Sequence, residues 1–465
     1  MKSSRRSVLA SAAGLAFAGF GRLAQARQET YRNEIPGYGD LLTDPNGILD
    51  LPRGFSYQIV SRFGETMNDG LEVPYKADGM GCIPLGGSRI ALIRNHELGP
   101  GDVNYGPAGL ARRLAHKIDS SRAYDLTKDG HALPGGTTSL IYDLRHQRLE
   151  RQFLSLVGTA VNCAGGVTPW GSWLSCEETT LRAGESGRKD HGWVFEVPAT
   201  AKGLVEPVPL RDMGRFQHEA ACVDPRTGIV YMTEDSFGSS GLFYRFLPNS
   251  RGELAKGGNL QALGLRRAPE GADTSNHEQV LWSQGDWLEV RWIELDHVDS
   301  PDDDLRHRGR AAGAANFARG EGIHFGDGEM FFTCTSGGAA KHGQIMRYAP
   351  SAHEGQPGEG DEPGRIQLFL ESADEQVFDY GDNLTVAPWG HLLVCEDRYS
   401  ATKRNHLRGV TPDGRVYTVA RNVFRENAEL AGVCFSPDGS TLFLNIYWPG
   451  LTLAIRGPWR DLRLS

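Results

Sequence analysis

A nine-residue segment that occurs twice limits the folds available to this chain. Residues 169–177 and 388–396 share the pattern Pro-Trp-Gly-x-x-Leu-x-Cys-Glu. Agreement at six of nine positions, including Trp, Cys and Pro, is not expected by chance. A repeat of this kind indicates an architecture assembled from similar units. A pair of β-sandwiches is the alternative architecture, but it does not explain a repeat that spans half of the chain.

The repeated segment belongs to a longer unit that recurs along the chain. Each unit begins with a polar residue, runs through a short apolar strand, turns on Pro, Asp or Gly, and returns through a second apolar strand to further polar residues. Such turn residues between two apolar runs are typical of β-hairpins. The six units lie at residues 78–97, 162–178, 218–235, 321–335, 382–397 and 429–445.

Six hairpins spread over the chain predict an all-β fold, a six-bladed β-propeller. The 59 glycines and 24 prolines agree with a chain rich in strands and turns. About 73 residues would be available for each blade, more than the roughly 40–50 of common propeller repeats. We therefore expect long insertions between strands. The candidate insertions are residues 119–136, 181–191, 249–277, 301–315 and 352–365.

The polar ends of the hairpins are expected to meet. In a hairpin, the start of the first strand and the end of the second strand lie side by side, and a propeller arranges its blades around a central channel. The polar residues that open and close the hairpins should therefore converge at one end of that channel. The converging set comprises Asn95, Glu97, Asn162, Cys176, Glu177, Glu178, Glu219, Glu234, Asp235, Glu321, Asp382, Asn383, Cys395, Glu396 and Asp397.

The composition of this set predicts a metal site at one end of the channel. Carboxylates gathered there would repel one another unless cations neutralised them. Carboxylate and amide oxygens are hard ligands, suited to Ca²⁺ or Mn²⁺. A thiolate from Cys176 beside them is softer and favours a transition metal such as iron. Histidines are few in this region, so a zinc centre with three histidine ligands is not predicted.

The seven cysteines are expected to have different roles. An odd number in an exported chain leaves at least one outside an internal disulfide. Cys176 and Cys395 each directly precede a glutamate at a hairpin end. Cys176 is the preferred ligand because two glutamates follow it, and the role of Cys395 stays open. The cysteines inside apolar strands are interpreted as packed core residues; they are Cys82, Cys163, Cys222 and Cys434.

Two basic residues are candidate catalytic groups near the predicted metals. Arg319 precedes the start of the fourth hairpin, and Lys341 follows its end in a glycine-containing loop. A guanidinium and an ammonium that face metal ions suit a phosphoryl group. No G-x-x-x-x-G-K-[ST] loop and no G-x-S-x-G motif occurs, so the sequence supports neither nucleotide-driven transfer nor a serine nucleophile of that type.

The N-terminal 26 residues are predicted to be a signal peptide. Arg5 and Arg6 precede an apolar stretch at about residues 8–20, and Ala-Gln-Ala at residues 24–26 resembles a cleavage site. The paired arginines favour the twin-arginine export machinery, with an ordinary secretory signal as the alternative. Either route predicts a periplasmic or extracellular protein. Residues 27–465 are expected to form a single propeller domain.

Charge and hydropathy exclude two classes of partner. The net charge of −9, with 58 acidic residues, argues against nucleic acid binding. Apart from the signal segment, which is too short to span a bilayer, no apolar run approaches the length of about 20 residues that a membrane helix needs. We therefore expect no stable membrane insertion.

Several of these segments together resemble the PhoX-type alkaline phosphatase family. The resemblance covers about residues 38–459, and each motif alone would be weak. The matching segments are RNHE at 94–97, NCAGG at 162–166, CEE at 176–178, HEA at 218–220, TED at 233–235, RGEG at 319–322, DNLT at 382–385, CED at 395–397, AG at 431–432 and GPW at 457–459.

The resemblance implies an exported phosphomonoesterase with ferric iron and calcium ions, which acts on small-molecule phosphate esters. Arg319 resembles the phosphate-contacting arginine of the family, and Lys341 is a second candidate phosphate contact. Cys176 resembles the thiolate ligand of iron. The other implied ligands are Glu177, Glu219 and Glu321 at or near iron, and Asn162, Glu234, Asn383 and Glu396 on the calcium side.

Two other functions remain compatible with the pattern. One is a propeller hydrolase that uses calcium alone, such as a lactonase or a phosphodiesterase. The other is a calcium-stabilised binding propeller without catalysis. A thiolate ligand separates these hypotheses from the phosphatase, because a site for calcium alone has no use for it.

Overall fold

The computed structural model describes residues 30–238, 240–398, 404–424 and 428–464, and β-strands are the main regular structure of these residues. The predicted signal peptide, residues 1–26, lies outside the described residues. The strands are β1 (Leu41–Leu42), β2 (Leu49–Pro52), β3 (Ser56–Arg62), β4 (Ala77–Gly86), β5 (Arg89–His96), β6 (Gly135–Asp143), β7 (Arg148–Thr159), β8 (Asn162–Val167), β9 (Ser172–Glu177), β10 (Val194–Pro198), β11 (His218–Val223), β12 (Val230–Glu234), β13 (Phe243–Pro248), β14 (Gly258–Leu265), β15 (Ala272–Asp273), β16 (Trp287–Glu294), β17 (Ala315–Asn316), β18 (Gly320–Gly326), β19 (Glu329–Cys334), β20 (Gln344–Ala349), β21 (Arg365–Glu371), β22 (Gly381–Val386), β23 (Leu392–Glu396), β24 (His406–Val410), β25 (Val416–Asn422), β26 (Leu430–Phe435), β27 (Thr441–Ile446) and β28 (Leu451–Arg456).

Helical structure is confined to short segments in the described residues. One α-helix, α1, spans Leu305–Ala311. Short 3₁₀ turns occur at Leu110–Arg112, Ala115–Lys117, Ser120–Arg122, Arg211–Met213 and Leu254–Lys256.

The strands form antiparallel sheets built mainly from consecutive hairpins. Two four-stranded sheets have the orders β4-β5-β6-β7 and β26-β27-β28-β3, and a three-stranded sheet has the order β8-β9-β10. A six-stranded sheet has the order β1-β2-β25-β24-β23-β22. In a nine-stranded sheet, β16 joins the group β11-β12-β13-β14 to the group β21-β20-β19-β18. The small sheet of β15 and β17 is parallel.

Six of these strands surround a common channel. β4 packs against β8, β8 against β11, β11 against β18, β18 against β22, β22 against β26, and β26 against β4. We call them the inner strands; each one is the first strand of a predicted hairpin unit. The fold is therefore all-β with a propeller-like arrangement, and the prediction is confirmed at that level. The blade number of six stays a prediction.

The two ends of the chain close the ring. The N-terminal strand β3 pairs with the C-terminal strand β28, and β2 pairs with β25. Leu453 on β28 lies opposite Ile59 on β3, and both side chains belong to a hydrophobic cluster. A ring closed by both ends of the chain has fewer free sheet edges, which are sites of unwanted pairing.

Small residues let the inner strands approach one another closely. A Cβ atom at Gly79 would lie 2.4 Å from the Cα of Ala164, and one at Gly322 would lie 2.7 Å from the Cα of Asn383. Larger side chains at these two glycines would therefore separate neighbouring inner strands. Toward the hairpin turns, the channel widens into a cavity of about 440 Å³ whose lining includes Val167 and Pro388.

The insertions lie where the sequence predicts them, with one exception. Residues 119–136 and 352–365 connect strands, as do residues 181–191, and residues 301–315 contain α1. Residues 249–277 contain β14, a regular strand of the nine-stranded sheet. The interpretation of this last segment as an insertion is therefore wrong for its central part.

Candidate metal centre

The same irregularity occurs near the start of every inner hairpin. In each one, the inner strand has one residue more than its partner strand between two registered pairs, which is a β-bulge. Bulges of this kind change the direction of a side chain and often lie next to functional sites. The bulges lie at residues 78–79, 163–164, 219–220, 321–322, 382–383 and 432–433.

The first residue of each bulge is the one that defines the site. In the last hairpin this residue is Gly432, which has a φ of 59° and lies so close to Asp78 that a Cβ would be 2.4 Å from its carbonyl oxygen. In the other five hairpins the residue can bind a metal ion through its side chain. These five residues are Asp78, Cys163, Glu219, Glu321 and Asp382.

The second strand of each hairpin, which we call the returning strand, leads to a further carboxylate in four of the hairpins. These second-row carboxylates are Glu97, Glu178, Asp235 and Asp397, and each directly follows the residue that pairs with the start of the inner strand. A further carboxylate, Glu429, directly precedes β26. We use the name central cluster for the bulge residues Asp78, Cys163, Glu219, Glu321 and Asp382, the second-row residues Glu97, Glu178, Asp235 and Asp397, and Glu429.

The carboxylates of the central cluster perturb one another. Burial raises the pKa of Glu219 well above its ordinary value, and Glu321 and Asp382 raise it further. Burial also raises the pKa of Asp382 to about 8, with a contribution from Asp397. The pKa of Glu178 is raised well above its ordinary value by burial and by Asp235. Such a group of buried acids is unfavourable unless it is protonated or neutralised by cations.

Glu219 is the residue that carries the argument for a metal. It is fully buried, and neither of its carboxylate oxygens has a hydrogen-bond partner among the described residues. Its carboxylate belongs to two groups whose ligand atoms lie within 4.8 Å of one another: one with Cys163 and Glu178, the other with Glu321 and Asp382. Buried carboxylates normally accept hydrogen bonds or bind cations. The orphaned oxygens therefore fit metal ions, as the family resemblance noted in the sequence also implies.

Cys163 is the cysteine that the structure brings into the cluster. Its Sγ donates to Oδ2 of Asp78 at 3.6 Å, and burial together with the charges of Asp78 and Glu219 raises the pKa of the thiol. The thiol is buried, as the interpretation of Cys163 as a core residue predicts, but its neighbours are carboxylates rather than apolar side chains. The signal for it was the bulge, since Cys163 occupies the position that Glu219 occupies in the next hairpin.

Cys176 lies in a different environment. It packs with Leu174 and Val194 in a hydrophobic cluster, and burial alone raises the pKa of its thiol. Cys395 likewise packs in a hydrophobic cluster, beside Leu393. The structure therefore does not bring Cys176 to the central cluster. All seven cysteines are free.

Glu177 also points away from the central cluster. Its carboxylate accepts hydrogen bonds from the backbone N–H groups of Ala160 at 2.8 Å and Gly192 at 2.9 Å. Nδ1 of His191 lies 2.7 Å from its Oε1, and Nε2 of the same ring lies 3.2 Å from Asp125. Through these hydrogen bonds, Glu177 joins the segment before β8 to the segment before β10.

Glu234 and Glu396 occupy the corresponding position in their own hairpins. Glu234 accepts from Leu242 N at 3.0 Å and from the Tyr244 hydroxyl at 2.8 Å. Glu396 accepts from Nε of Arg408 at 2.6 Å and from the backbone N–H of His406 at 2.9 Å. Both carboxylates thus connect the returning strand to the next strand of the sheet.

The two predicted asparagine ligands make contacts with protein groups. Asn162 accepts from Thr159 Oγ1 at 2.7 Å and donates to Ser175 Oγ at 2.9 Å. Asn383 donates to Oδ1 of Asp382 at 3.0 Å and accepts from the backbone N–H of Gly432 at 2.8 Å. Asn383 therefore orients a carboxylate of the central cluster and joins two inner strands.

Arg319 lies at the edge of the central cluster. Its Nε and Nη2 donate to Asp235 at 3.0 Å and 2.7 Å, and Nη2 also donates to Glu321 at 2.9 Å. Burial would lower the pKa of the guanidinium, but Glu321 and Asp235 hold it above its ordinary value. The ring of Phe237 covers the guanidinium, with its centroid 4.8 Å from Cζ. Nη1 makes no hydrogen bond within the described residues.

Lys341 lies in the loop between β19 and β20, in the same hairpin group as Glu321. Its backbone has a φ of 57°, and its side chain is exposed. Within the described chain its ammonium makes no ion pair with the central cluster. Of the residues that the resemblance implies, the structure thus brings together Glu219, Glu321 and Arg319. Of the wider set that was expected to converge, it also brings together Glu97, Glu178, Asp235, Asp382 and Asp397.

Comparison with known proteins identifies the family of this chain. The family model described as Alkaline phosphatase PhoX matches residues 36–450. The chain belongs to the PhoX alkaline phosphatase family. Members of this family are exported, metal-dependent phosphatases that act on phosphate esters. The predicted family and the predicted phosphoric monoester hydrolase activity are therefore confirmed.

One solved structure agrees with the PhoX assignment at the level of the fold. The structure of Pseudomonas fluorescens PhoX in complex with vanadate, a transition state analogue, is 17% identical to this chain with a TM-score of 0.64, and the match covers 92% of this chain and 98% of that one. A gluconolactonase from Xanthomonas campestris is 10% identical with a TM-score of 0.40, covering 86% of this chain and 98% of that one. No curated protein matches the chain. Among the described residues of this PhoX relative, no helix is long and apolar enough to cross a membrane.

Proposed function

We propose that this member of the PhoX family hydrolyses phosphate monoesters at a mixed iron–calcium site in the central cluster. The position of Glu219, with two orphaned oxygens between two groups of possible ligands, carries the proposal. One group contains a thiol and the other contains only carboxylates. A shared carboxylate between a soft and a hard site fits two different cations that lie next to each other.

The ligand set of the softer site would be Cys163, Glu178 and Glu219. Thiolate ligands select transition metals over calcium, and ferric iron is the ion that the family resemblance implies. Cys163 takes the role that the sequence assigns to Cys176, because Cys163 has carboxylates as neighbours and Cys176 has apolar side chains.

The harder site would be formed by Glu219, Glu321 and Asp382. Ligands that are all carboxylate oxygens suit Ca²⁺, which takes six to eight oxygen ligands. Asp78, Glu97, Asp235, Asp397 and Glu429 surround these groups and offer further oxygens. Asn162, Glu177, Glu234 and Glu396 support the site through the protein contacts described above.

The chain itself would hold the substrate through Arg319. Metal ions, when bound, polarise phosphoryl oxygens and supply a nucleophile at neutral or alkaline pH. Asp235 and Glu321 fix the guanidinium, and the uncommitted Nη1 can donate to a phosphoryl oxygen. Charge-assisted hydrogen bonds of this kind strengthen as negative charge develops on that oxygen. Lys341, in an exposed loop nearby in sequence, is proposed as a second, weaker phosphate contact.

The remaining predictions about architecture and location are part of the same proposal. The ring of six inner strands, each the start of a hairpin, supports six blades. The paired arginines near the N-terminus support a twin-arginine signal in residues 1–26, and residues 27–465 would then form the exported domain in the periplasm or outside the cell.

A matched pair of cysteine variants tests this function. Cys163→Ser and Cys176→Ser make the same chemical change on neighbouring strands, β8 and β9. Elemental analysis of protein purified from its native host should find iron and calcium in the wild type and in Cys176→Ser, and much less iron in Cys163→Ser. Hydrolysis of p-nitrophenyl phosphate should follow the iron content.

Two outcomes would contradict the proposal. Calcium without iron in the wild type would favour a hydrolase that uses calcium alone or a binding propeller. Loss of iron in Cys176→Ser with iron retained in Cys163→Ser would return the thiolate role to Cys176.

A further inference from the structure

Phe237 is unusually exposed for an aromatic side chain. With 73% of its surface accessible, it is the most exposed large hydrophobic residue in the described part of the chain. It lies in the connection between β12 and β13, two residues after Asp235 of the central cluster. Ligand sites are commonly lined by aromatic side chains together with a few polar or charged groups.

One face of the Phe237 ring is already occupied. The guanidinium of Arg319 lies 4.8 Å from the ring centroid, within the range of a cation–π contact. Arg319 cannot move freely, because Asp235 and Glu321 both accept hydrogen bonds from it. The fixed guanidinium therefore positions the ring at the edge of the central cluster, with the opposite face of the ring in solvent.

The connection that carries Phe237 is closed by contacts of its own. Ser236 and Ser240 share a hydrogen bond between their hydroxyl groups at 2.8 Å, so the residues on either side of the turn are held together. The backbone N–H of Phe317 donates to the carbonyl of Gly241 at 2.8 Å, which connects the turn to the chain just before Arg319. The ring and the guanidinium are therefore presented by two segments that are joined to each other.

We propose that Phe237 selects substrates by contacting the leaving group of phosphate monoesters whose ester oxygen carries an aromatic ring. This inference rests on the proposed function, in which Arg319 binds a phosphoryl oxygen. Glu219 and Glu321 are buried and Phe237 is exposed, so a substrate whose phosphoryl group contacts Arg319 would direct its leaving group to the exposed side, where Phe237 lies. A ring attached to the ester oxygen would then contact the free face of Phe237, since aromatic pairs interact at centroid distances of about 4.5–7 Å.

A selective contact with Phe237 would favour only substrates whose leaving group carries a ring. A merely structural role, in which Phe237 shields Arg319 from water, makes a different prediction. It would affect every substrate equally, because all of them present the same phosphoryl group to Arg319.

The test compares two substrates and two non-hydrolysable ligands in the wild type and three variants. Phenyl phosphate and ethyl phosphate report KM and kcat. Phenylphosphonate and methylphosphonate report the dissociation constant by calorimetry with metal-loaded protein, independently of turnover. The variants are Phe237→Leu, which keeps an apolar side chain but removes the ring, and Phe237→Trp, which keeps a ring. Leu464→Ala is the control, because Leu464 is also exposed and lines a surface pocket with Pro388 and Trp389 at the hairpin turns.

Phe237→Leu should raise the KM for phenyl phosphate and the dissociation constant of phenylphosphonate about three- to tenfold, the effect expected for loss of an aromatic pair. The values for ethyl phosphate and methylphosphonate should change less than about twofold, since these ligands make no ring contact. Phe237→Trp should retain the preference for the phenyl ligands, and Leu464→Ala should match the wild type throughout.

Equal changes for phenyl and ethyl ligands in Phe237→Leu would overturn the inference and leave the phosphatase function intact. A wild type that binds phenylphosphonate no more tightly than methylphosphonate would overturn it as well. A wild type that hydrolyses neither ester but still binds phenylphosphonate more tightly, through Phe237, would refute the proposed function while supporting the contact.

Discussion

Two rows of carboxylates run side by side at the ends of the returning strands, and they have opposite environments. Glu177, Glu234 and Glu396 end their strands, whereas Glu178, Asp235 and Asp397 follow them directly. Glu177, Glu234 and Glu396, which we call the structural row, accept hydrogen bonds from nearby backbone and side-chain donors. Residues of the second row face the other carboxylates of the central cluster and Arg319. Adjacent residues in a strand point to opposite sides, so one position in the sequence separates the two roles.

The comparison shows that the surrounding donors, rather than the residue type, distinguish a structural carboxylate from a metal-binding one. Burial would raise the pKa of Glu396, but Arg408 and His406 hold it below its ordinary value. Burial and Asp235 raise the pKa of Glu178, which has far fewer donors. Glu396 is buried, and Glu178 is partly buried. Only the second needs a cation from outside the chain.

The largest effect should come from removing the orphaned carboxylate. Glu219→Gln removes the negative charge and replaces one of the two oxygens that would hold a metal ion by an amide N–H₂, which is not a metal ligand. We expect a loss of p-nitrophenyl phosphate hydrolysis of at least about 10³-fold, as for other groups that stabilise charge in the transition state. Metal content, measured by elemental analysis, should fall in parallel.

The same variant should remain folded. Variants of the central cluster are thus expected to lose activity without losing stability, unlike variants of the structural row. Without metals, Glu219 is repelled by its neighbours, so Glu219→Gln should leave the chelated protein at least as resistant to urea as the chelated wild type. Full activity with normal metal content would remove Glu219 from the site.

The next largest effect is a loss of stability when a carboxylate of the structural row is removed. Glu396→Gln would leave the fully buried Arg408 without its charge partner. Loss of one partner from a buried ion pair costs about 3–5 kcal/mol in the free energy of unfolding, which a urea titration would detect. Asp397→Asn is the matched control in the adjacent position; it should lower activity without a comparable loss of stability. A larger destabilisation by Asp397→Asn than by Glu396→Gln would contradict the assignment of Glu396 to stability and of Asp397 to the metal site.

The sequence predicts the fold and the position of the site better than it predicts which residues form the site. Turn residues, the doubled segment and the polar ends of the hairpins indicate an all-β propeller with a site at one end of its channel. The bulges cannot be read from periodicity alone, because one extra residue shifts every later side chain to the other face. Through the bulge in β8, Cys163 lies among carboxylates, whereas Cys176 on β9 lies among apolar side chains. Glu178 and Asp235 lie one residue beyond the ends of β9 and β12, and adjacent residues point to opposite sides, so Glu177 and Glu234 point away from the cluster.

A local signal for the bulges does exist in the sequence. In most inner strands the metal-binding residue is followed by a small one, as in Asp78-Gly79, Cys163-Ala164, Glu219-Ala220 and Glu321-Gly322. The small residue is needed where neighbouring inner strands nearly touch. Residues that follow from contacts between distant segments, such as His191 beside Glu177, carry no comparable signal.

A pH dependence of stability is expected from the structural row. His191 lies between Glu177 and Asp125; burial would lower its pKa, but the two carboxylates raise it to about 9. Its ordinary value is 6.5, so the folded state binds this proton more tightly than the unfolded state does. The stabilisation of up to about 3 kcal/mol should be complete below about pH 6.5 and lost as the pH rises through about 9.

Urea unfolding of His191→Gln checks this expectation. The variant should be less stable than the wild type at pH 6, and the difference should shrink as the pH approaches 10. A difference that is constant over this range would mean that His191 is neutral in the folded protein.

The smallest change in stability is expected when Glu234 of the structural row is replaced at pH 5. Burial raises the pKa of this carboxyl to about 7, although Arg306 lies 3.5 Å away. The folded state therefore holds a proton on Glu234 at pH 5, and Glu234→Gln should stay within about 1 kcal/mol of the wild type there. As the pH rises through 7, the wild type loses stability relative to the variant, which has no group to ionise at this position. Urea titrations at pH 5 and 8 measure both values, and an opposite trend would show that Arg306 keeps Glu234 ionised, as Arg408 does for Glu396.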